Sequence, residues 1–446
     1  MAAGSRAQFS SRLGFIMAAA GSAVGLGNVW GFPTQAASNG GAVFLLVYLF
    51  MVVVLALPML IAELTIGRYG QANPLRSVTR IWPKQSRLPV GFGVLGLLTA
   101  LMILSFYSIL AGWLVGYLVS PILELLGMSA TAHWLEQFST ERNLLLAFLF
   151  IAITMKVVMG GVTAGIERWS SRLMPILVAL FVVMIGYILT QDGAMEGLKM
   201  YLVPDLSHFN ADLIVGAMGQ AFFSLSLGVT VMIVYGSYLP KHVNIPKTAA
   251  QVAMIDTGIA FGAGLLILPA MFVAQKNGVS IYSETGQLLN SDTLVFTVLP
   301  AMFDTMGSIG IVVSILFFAL MLIAALTSSI SMLEVPVSCS IEELGLSRNK
   351  AVWWIGGLAL VMAAAIVYHF ETLFGLVITI STVYLQPLLG LVWAICAGWV
   401  WSRAKLLEEL QQGHPEIENS LFWRCWPNYL RYVCPILMAM VFWVTI

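Results

Sequence analysis

The chain is predicted to be an all-α polytopic membrane protein, built as two inverted five-helix repeats plus an eleventh transmembrane helix. Three observations carry that prediction. The 446 residues are 59% hydrophobic and only 9% charged, with a mean hydropathy of +0.92, whereas about a quarter of an ordinary soluble domain is charged. Charge-free runs recur at 88–123, 173–191, 213–240, 305–333 and 372–402, each at or above the roughly 18 residues a helix needs to cross a bilayer. The first and sixth spans are interrupted by small and hydroxyl residues, five spans apart.

Eleven spans are expected at about 13–38, 42–67, 89–126, 142–158, 168–190, 212–240, 249–275, 307–340, 351–368, 372–402 and 430–446. Unbroken apolar runs of this length select helices, because a transmembrane barrel would show short strands of alternating polarity. The fourth is the shortest and ends at Lys156, a residue that can snorkel to the interface. With the amino terminus in the cytoplasm, three of the 21 Lys and Arg residues lie outside (Arg142, Lys199 and Lys276) and the other 18 inside. That bias orients the bundle, and an odd number of spans puts the carboxyl terminus outside. The first apolar run follows two arginines without a cleavage site and reads as a retained span. The expected organisation is a cytoplasmic gate segment over 1–12, repeats over 13–190 and 212–402, a cytoplasmic linker over 403–429 and the last span over 430–446.

Several function classes drop out. Cys339, Cys396, Cys425 and Cys434 show no metal-ligand spacing, so neither a disulfide nor a metal cluster is expected. There is no phosphate-binding glycine loop after a strand and no nucleophile elbow; the chain is not expected to be an enzyme, nor to bind nucleic acid.

The stretch "GSAVGLGNVWGFP" at 21–33 holds Gly21, Gly25, Gly27 and Gly31, each costing about 1 kcal/mol relative to alanine inside a helix. Gly21 with Gly25, and Gly27 with Gly31, are also small-xxx-small pairs that suit tight helix packing. The sixth span shifts that balance, because "GQAFFSLSLGVT" at 219–230 sets Ser224, Ser226, Gly228 and Thr230 in the middle of another apolar run. Where two interrupted helices meet at the bilayer midplane, amides at a half-helix start bind an anion and freed carbonyls bind cations, an arrangement best described in the symporters named next. Such a site suits a zwitterion accompanied by metal ions.

The segments "RLGFIMAAAGSAVGLGNVWGFP", "NGGAVFLLVYLF", "PMLIAELTIGRYGQ", "GIERWSSRLMP", "GQAFFSLSLG" and "LTSSISMLE" run in order through the first eight spans. In these the chain resembles the neurotransmitter:sodium symporter family, which includes the bacterial leucine transporter and the serotonin and dopamine carriers. The resemblance implies the leucine-transporter-type fold, without the family's twelfth span. It implies one sodium site from the carbonyls of Gly21, Val24 and Ala324 with the hydroxyls of Thr327 and Ser328, and another from the Ala23 carbonyl, the Asn28 amide oxygen, Ser224 and Asp256. Oxygen ligands suit a hard cation. A hydroxyl pair in a membrane helix can also simply bond back to the preceding turn, and a carboxylate in a span marks an ion or proton path by default. Asp256 is expected to make transport chloride-independent. Glu63 is implied as scaffold, satisfying amides freed at the breaks.

By the same resemblance the amides of Leu26 and Gly27, the Tyr107 hydroxyl and a sodium ion take a substrate carboxylate. The carbonyls of Ala23, Phe223 and Ser224, with the Ser226 hydroxyl, take its ammonium. Its side chain faces Gly25, Ile103, Phe223, Val229, Ser328 and Met332, a mostly apolar lining. Gly31 stands where most relatives carry an arginine that pairs with an aspartate in span 10, and no acidic residue occurs between Thr372 and Leu407. Outer closure is therefore expected to rely on Tyr107 and Phe223. The inner gate implied is Arg6 with Glu342, beside Tyr238, and Gly165 with Pro175 matches a span 5 motif linked to water entry. The expected function is a sodium-coupled symporter of neutral, hydrophobic or aromatic amino acids in the bacterial cytoplasmic membrane, working by alternating access with two sodium sites. Its partners are the amino acid, sodium as coupling ion with no other cofactor, and membrane lipid. A symporter of an osmolyte or other amine, or a channel or transport-dead sensor on the same fold, are the alternatives.

Overall fold

The computed structural model describes residues 6–83, 86–281 and 294–445. Residues 1–5 of the expected gate segment and Ile446 of the last span lie outside the described residues. The described chain folds into helices, with no strand among the described residues. In order, the spans are Arg12–Ala23 continued by Gly27–Ser38, Ala42–Gly70, Leu88–Leu125, Thr140–Met159, Val162–Ile188, Ala211–Ser224 continued by Val231–Ser237, Ile245–Lys276, Ser308–Leu344, Arg348–Tyr368, Phe370–Val400 and Leu421–Thr445. Eight are unbroken helices long and apolar enough to cross a membrane, and span 1, bent by 55° at its break, makes a ninth. Span 6 is split into two short halves, and span 11 carries Arg424, Arg431 and two internal prolines.

Local sequence sets where several spans begin. Ser11, Ser139, Asn210 and Asn244 each accept a hydrogen bond from an amide in the first helical turn that follows, a cap worth about 1 kcal/mol. Span 11 starts at Leu421, earlier than the expected 430. The longer helix takes in Arg424; Arg431, inside the expected bounds as well, is accommodated because its guanidinium lies over the Trp399 ring at 4.3 Å, and a ring face attracts a cation. Span 5 starts at Val162 because Gly161, at φ +80°, turns the chain directly out of span 4.

Span 3 runs through the interior: residues 99–114 are buried without interruption. Its most extensive packing is against span 8. These two spans flank the breaks in spans 1 and 6, and buried polar side chains collect there: Ser22, Asn28, Ser224, Asp256, Thr327 and Ser328. In a core this apolar, buried polar groups persist where they are hydrogen-bonded or serve an ion.

Candidate functional site

The break in span 6 is held in a conformation that ordinary residues avoid. Ser226, Gly228 and Thr230 have φ of +52°, +79° and +64°, and non-glycine residues rarely adopt this region unless the surroundings impose it. Three contacts impose it. The Ser226 hydroxyl donates to Ser22 O at 3.1 Å, the Gly228 amide donates to Glu63 Oε1 at 2.8 Å, and Gln386 Nε2 donates to Leu227 O at 2.9 Å. A Cβ at position 228 would collide with the backbone carbonyl of Gln386, so glycine is required there on both counts. Glu63 thus serves one freed amide, and its Oε2 has no hydrogen-bond partner.

Beside this break lies a cluster centred on Asp256, which is fully buried in span 7. Asn28 Nδ2 donates to Asp256 Oδ1 at 2.7 Å and to Ser224 Oγ at 2.8 Å, while the Ser224 hydroxyl donates to Asp256 Oδ2 at 2.6 Å. The Tyr48 hydroxyl reaches Ser224 at 3.2 Å. Asn28 Oδ1 accepts from the Gly25 amide at 3.2 Å, so the amide turns its nitrogen toward the carboxylate and its oxygen toward the backbone. No Lys, Arg or His pairs with Asp256 among the described residues. A buried carboxylate held only by neutral donors keeps its affinity for a cation.

A second group of oxygens lies where span 8 crosses the break in span 1. The Ser328 hydroxyl lies 3.1 Å from Val24 O and 3.2 Å from Ser22 O. The Thr327 hydroxyl bonds back to Ala324 O at 3.1 Å and Ile323 O at 3.2 Å. A Cβ at Gly21 would sit 3.2 Å from Thr327 Cβ, so this glycine lets the two helices approach. Gly165 and Pro175 line no part of this group: Gly165 packs on the end of span 4 and Pro175 is exposed, next to Met174, whose sulfur lies beside Gly21.

Between the two groups is a cavity of about 220 Å³. Ala23, Gly25, Leu26, Gly27, Ile103, Tyr107, Phe223, Ser226, Val229, Ser328 and Met332 line it, together with Asn28, Trp30, Gly31, Phe106, Leu110 and Gln386. Ser224 does not line it and faces Asp256 instead. The Leu26 amide donates to the Tyr107 hydroxyl at 3.2 Å. Gly25 permits that approach, since a Cβ there would lie 2.6 Å from Ser328 Oγ and 3.0 Å from the Tyr107 oxygen. Phe223 is the one exposed lining side chain, at 38%, so solvent reaches the cavity past it. It lies against Gly27 and makes no ring contact with Tyr107 among the described residues.

On that side the closure differs from the expected pair of rings. The Trp30 ring meets Phe296 edge-on at 5.4 Å, and Phe296 meets Trp113 at 5.5 Å and Tyr117 at 5.3 Å. Trp113 lies 6.2 Å from Phe374, which reaches Phe106 at 6.3 Å. These rings join spans 1, 3 and 10 to the segment before span 8. Trp113 Nε1 donates to Asn143 Oδ1 at 3.0 Å, which also accepts from Arg142. Position 31 opens onto empty space: a Cβ there would find only Gln220 Oε1, at 3.8 Å. Glu371, the carboxylate at the start of span 10, is exposed and has no ion pair among the described residues.

The face that carries the amino terminus is closed by charge. Arg6 forms an ion pair with Glu342, donates to the Ser237 hydroxyl at 2.6 and 2.9 Å, and lies 4.5 Å above the Tyr238 ring. Burial pushes the Arg6 guanidinium below its usual value, and neighbouring Tyr238 and Glu334 push it back up. The Tyr238 hydroxyl donates to Glu334 at 2.6 Å, and Arg348 donates to the same carboxylate at 2.5 Å. Ser10 donates to Glu167 through its amide at 2.8 Å and its hydroxyl at 2.7 Å, and Phe9 is buried among Phe15, Tyr235 and Tyr238.

Glu334, Arg348, Glu167, Gln386 and Gln220 were not singled out from the sequence. The signal for Glu334 and Gln386 was there: each is a strongly polar side chain inside an apolar run, the same property that marked Asp256.

Four likenesses bear on this site. The chain matches the sodium:neurotransmitter symporter family over residues 6–143 and 124–446. It is 35% identical to the sodium-dependent transporter YhdH of Bacillus subtilis, over 98% of this chain and 96% of that one, and 25% identical to the sodium-dependent serotonin transporter of Drosophila melanogaster, over 98% of this chain and 76% of that one. Among solved structures it superposes on that of MhsT in complex with L-phenylalanine with a TM-score of 0.85, at 35% identity, over 99% of this chain and 100% of that one.

Proposed function

The chain belongs to the sodium:neurotransmitter symporter family, with its fold of two inverted five-helix repeats and an eleventh span, and on that premise we propose that it carries neutral, hydrophobic or aromatic amino acids together with sodium. Membership makes it a sodium-dependent transporter and not an enzyme. The observation that carries the finer reading is the cavity itself, apolar along Ile103, Val229 and Met332 and bounded by the Asp256 and Ser328 oxygen groups. A zwitterion needs its carboxylate and ammonium paired before it enters such a space. The break amides with Tyr107, and the break carbonyls with Ser226, supply those two ends, while the rest of the lining takes an uncharged side chain. MhsT with bound L-phenylalanine is consistent with that choice.

Two sodium sites follow the same reading, one at Ala23, Asn28, Ser224 and Asp256 and one at Gly21, Val24, Ala324, Thr327 and Ser328. Each sodium moving down a 100 mV potential contributes about 2.3 kcal/mol to uphill uptake. Asp256 supplies in place the negative charge that a bound chloride would bring, which makes uptake independent of chloride. The repeats are read as 13–190 and 212–402, and the Arg6 face as cytoplasmic, in a bacterial inner membrane.

The test is uptake of a labelled amino-acid panel, with betaine added, into proteoliposomes with and without an inward sodium gradient. Sodium-driven accumulation of leucine, phenylalanine or tryptophan is expected, with no change when gluconate replaces chloride. Uptake indifferent to sodium, or confined to betaine, overturns the reading.

A further inference from the structure

Arg142, in the first turn of span 4, is a fully buried cation with no place in either oxygen group or in the cavity lining. It forms no ion pair among the described residues, and its Nη2 has no hydrogen-bond partner. Burying a guanidinium without a carboxylate to neutralise it is costly, so the bonds it does make are informative. Nε donates to Leu135 O at 2.8 Å, in the short helix Ser129–Glu136, and Nη1 donates to Asn143 Oδ1 at 3.0 Å.

The same Asn143 oxygen accepts from Trp113 Nε1 at 3.0 Å. An amide oxygen that takes two donors has its orientation fixed, and a charged donor on one side strengthens the bond accepted on the other. The guanidinium also lies 5.1 Å over the Phe138 ring, which meets Trp113 at 4.8 Å in a T-shaped contact. Arg142 therefore bears on the indole both through its N–H and through its packing. Trp113 in turn meets Phe296 and Phe374, which reach Trp30 and Phe106, and those two rings line the cavity.

We propose that Arg142 and Asn143 are positioning residues of the ring closure: together they lock the Trp113 indole in the orientation that lets Phe296 and Phe374 hold Trp30 and Phe106 over the cavity, and so set how often that face opens around a bound solute. The inference rests on the amino-acid reading above and names how one face of that site is held shut. Were the pair merely a tie between the helix Ser129–Glu136 and span 4, its loss would lower the melting temperature without favouring either face.

Thiol labelling in detergent, with sodium and saturating leucine or phenylalanine, separates the two. Leu110→Cys places a reporter in the cavity lining; native Cys339, buried three residues before Glu342, reports the amino-terminal face, and peptide mass spectrometry reads the sites separately. Asn143→Leu is expected to raise labelling at 110 by about threefold or more, the range one buried hydrogen bond commands, with Cys339 unchanged. Asn143→Asp, which keeps the acceptor, should restore protection. Trp113→Phe, which removes the donor and leaves Arg142 bonded to Asn143, should raise labelling at 110 as well, and adding Asn143→Leu to it should raise it no further. Unchanged labelling at 110 in Asn143→Leu, an equal rise at both sites, no rescue by Asn143→Asp, or additive effects in the double variant overturns the proposal. Should Asn143→Leu not fold, unchanged labelling in Trp113→Phe overturns it alone. Protection by amino acid and sodium that survives in these variants removes this inference only, whereas a chain carrying Leu110→Cys alone that gains no such protection removes the reading it rests on.

Discussion

The cavity has two faces, and they are closed by different physics. On the amino-terminal face, Arg6, Glu342, Ser237, Tyr238, Glu334 and Arg348 form directional, partly charged contacts. The other face is covered by Trp30, Phe106, Trp113, Phe296 and Phe374, and position 31 offers no side chain. Ion pairs break at a definite separation and respond to salt. Packed rings keep favourable edge and offset contacts over a range of centroid distances and are indifferent to it. The two closures thus differ in how sharply they open as well as in composition, and each can be attacked separately.

The largest effect is expected where a buried charge loses its partner. Arg348→Met strands Glu334, which is fully buried, and removing one member of such a pair costs about 3–5 kcal/mol. A marked fall in melting temperature in detergent is expected, with increased labelling from the amino-terminal face; an unchanged melting curve would show that Tyr238 alone satisfies the carboxylate. Next is the ring lattice. Phe296→Leu keeps an apolar side chain but removes the ring against Trp30, Trp113 and Tyr117, a loss of about 0.5–1.5 kcal/mol per ring pair. It should raise the accessibility of a cysteine placed at Leu110 from the far face and leave the opposite face as it was.

Salt sharpens the contrast at lower cost. The Arg6 and Glu342 side chains are 10% and 22% exposed, and raising potassium chloride from about 0.1 to about 1 M shortens the screening length from about 10 to about 3 Å. Accessibility on the Arg6 face should rise severalfold, and that on the ring face should not move; equal responses would erase the distinction. The smallest effect belongs to Gly31→Arg. The space there is open, so stability should change by less than about 0.5 kcal/mol, and with no carboxylate paired nearby an arginine should not by itself tighten the far face.

What could be read in advance follows from how rare each signal is in an apolar chain. Spans 3, 5, 8 and 10 were evident because nothing but a helix fits uncharged runs of that length, and the fold that the resemblance implied is the fold found. Asp256 stood out because desolvating a carboxylate in such a run is so costly that it rarely occurs without an ion or a proton to serve. The rings did not, since Trp30, Trp113, Phe296 and Phe374 look like core packing at helical spacing until the structure brings them into one lattice. The earlier start of span 11 was not legible because 421–429 holds Arg424, Pro427 and Asn428, which break up an apolar run. Gln386 carried the same kind of signal, a polar side chain in an apolar run, but a fainter one, since a neutral amide costs less to desolvate than a carboxylate.

Ser328 sets a last consequence. Its hydroxyl already touches Val24 O and Ser22 O, and Asn28 and Ser224 already touch Asp256. On the proposed sodium reading, an arriving ion would therefore meet no dangling oxygens and would displace hydrogen bonds that are sound without it. Occupancy would then turn on the difference between two well-satisfied arrangements, which suits a carrier that must discharge its cargo on every cycle.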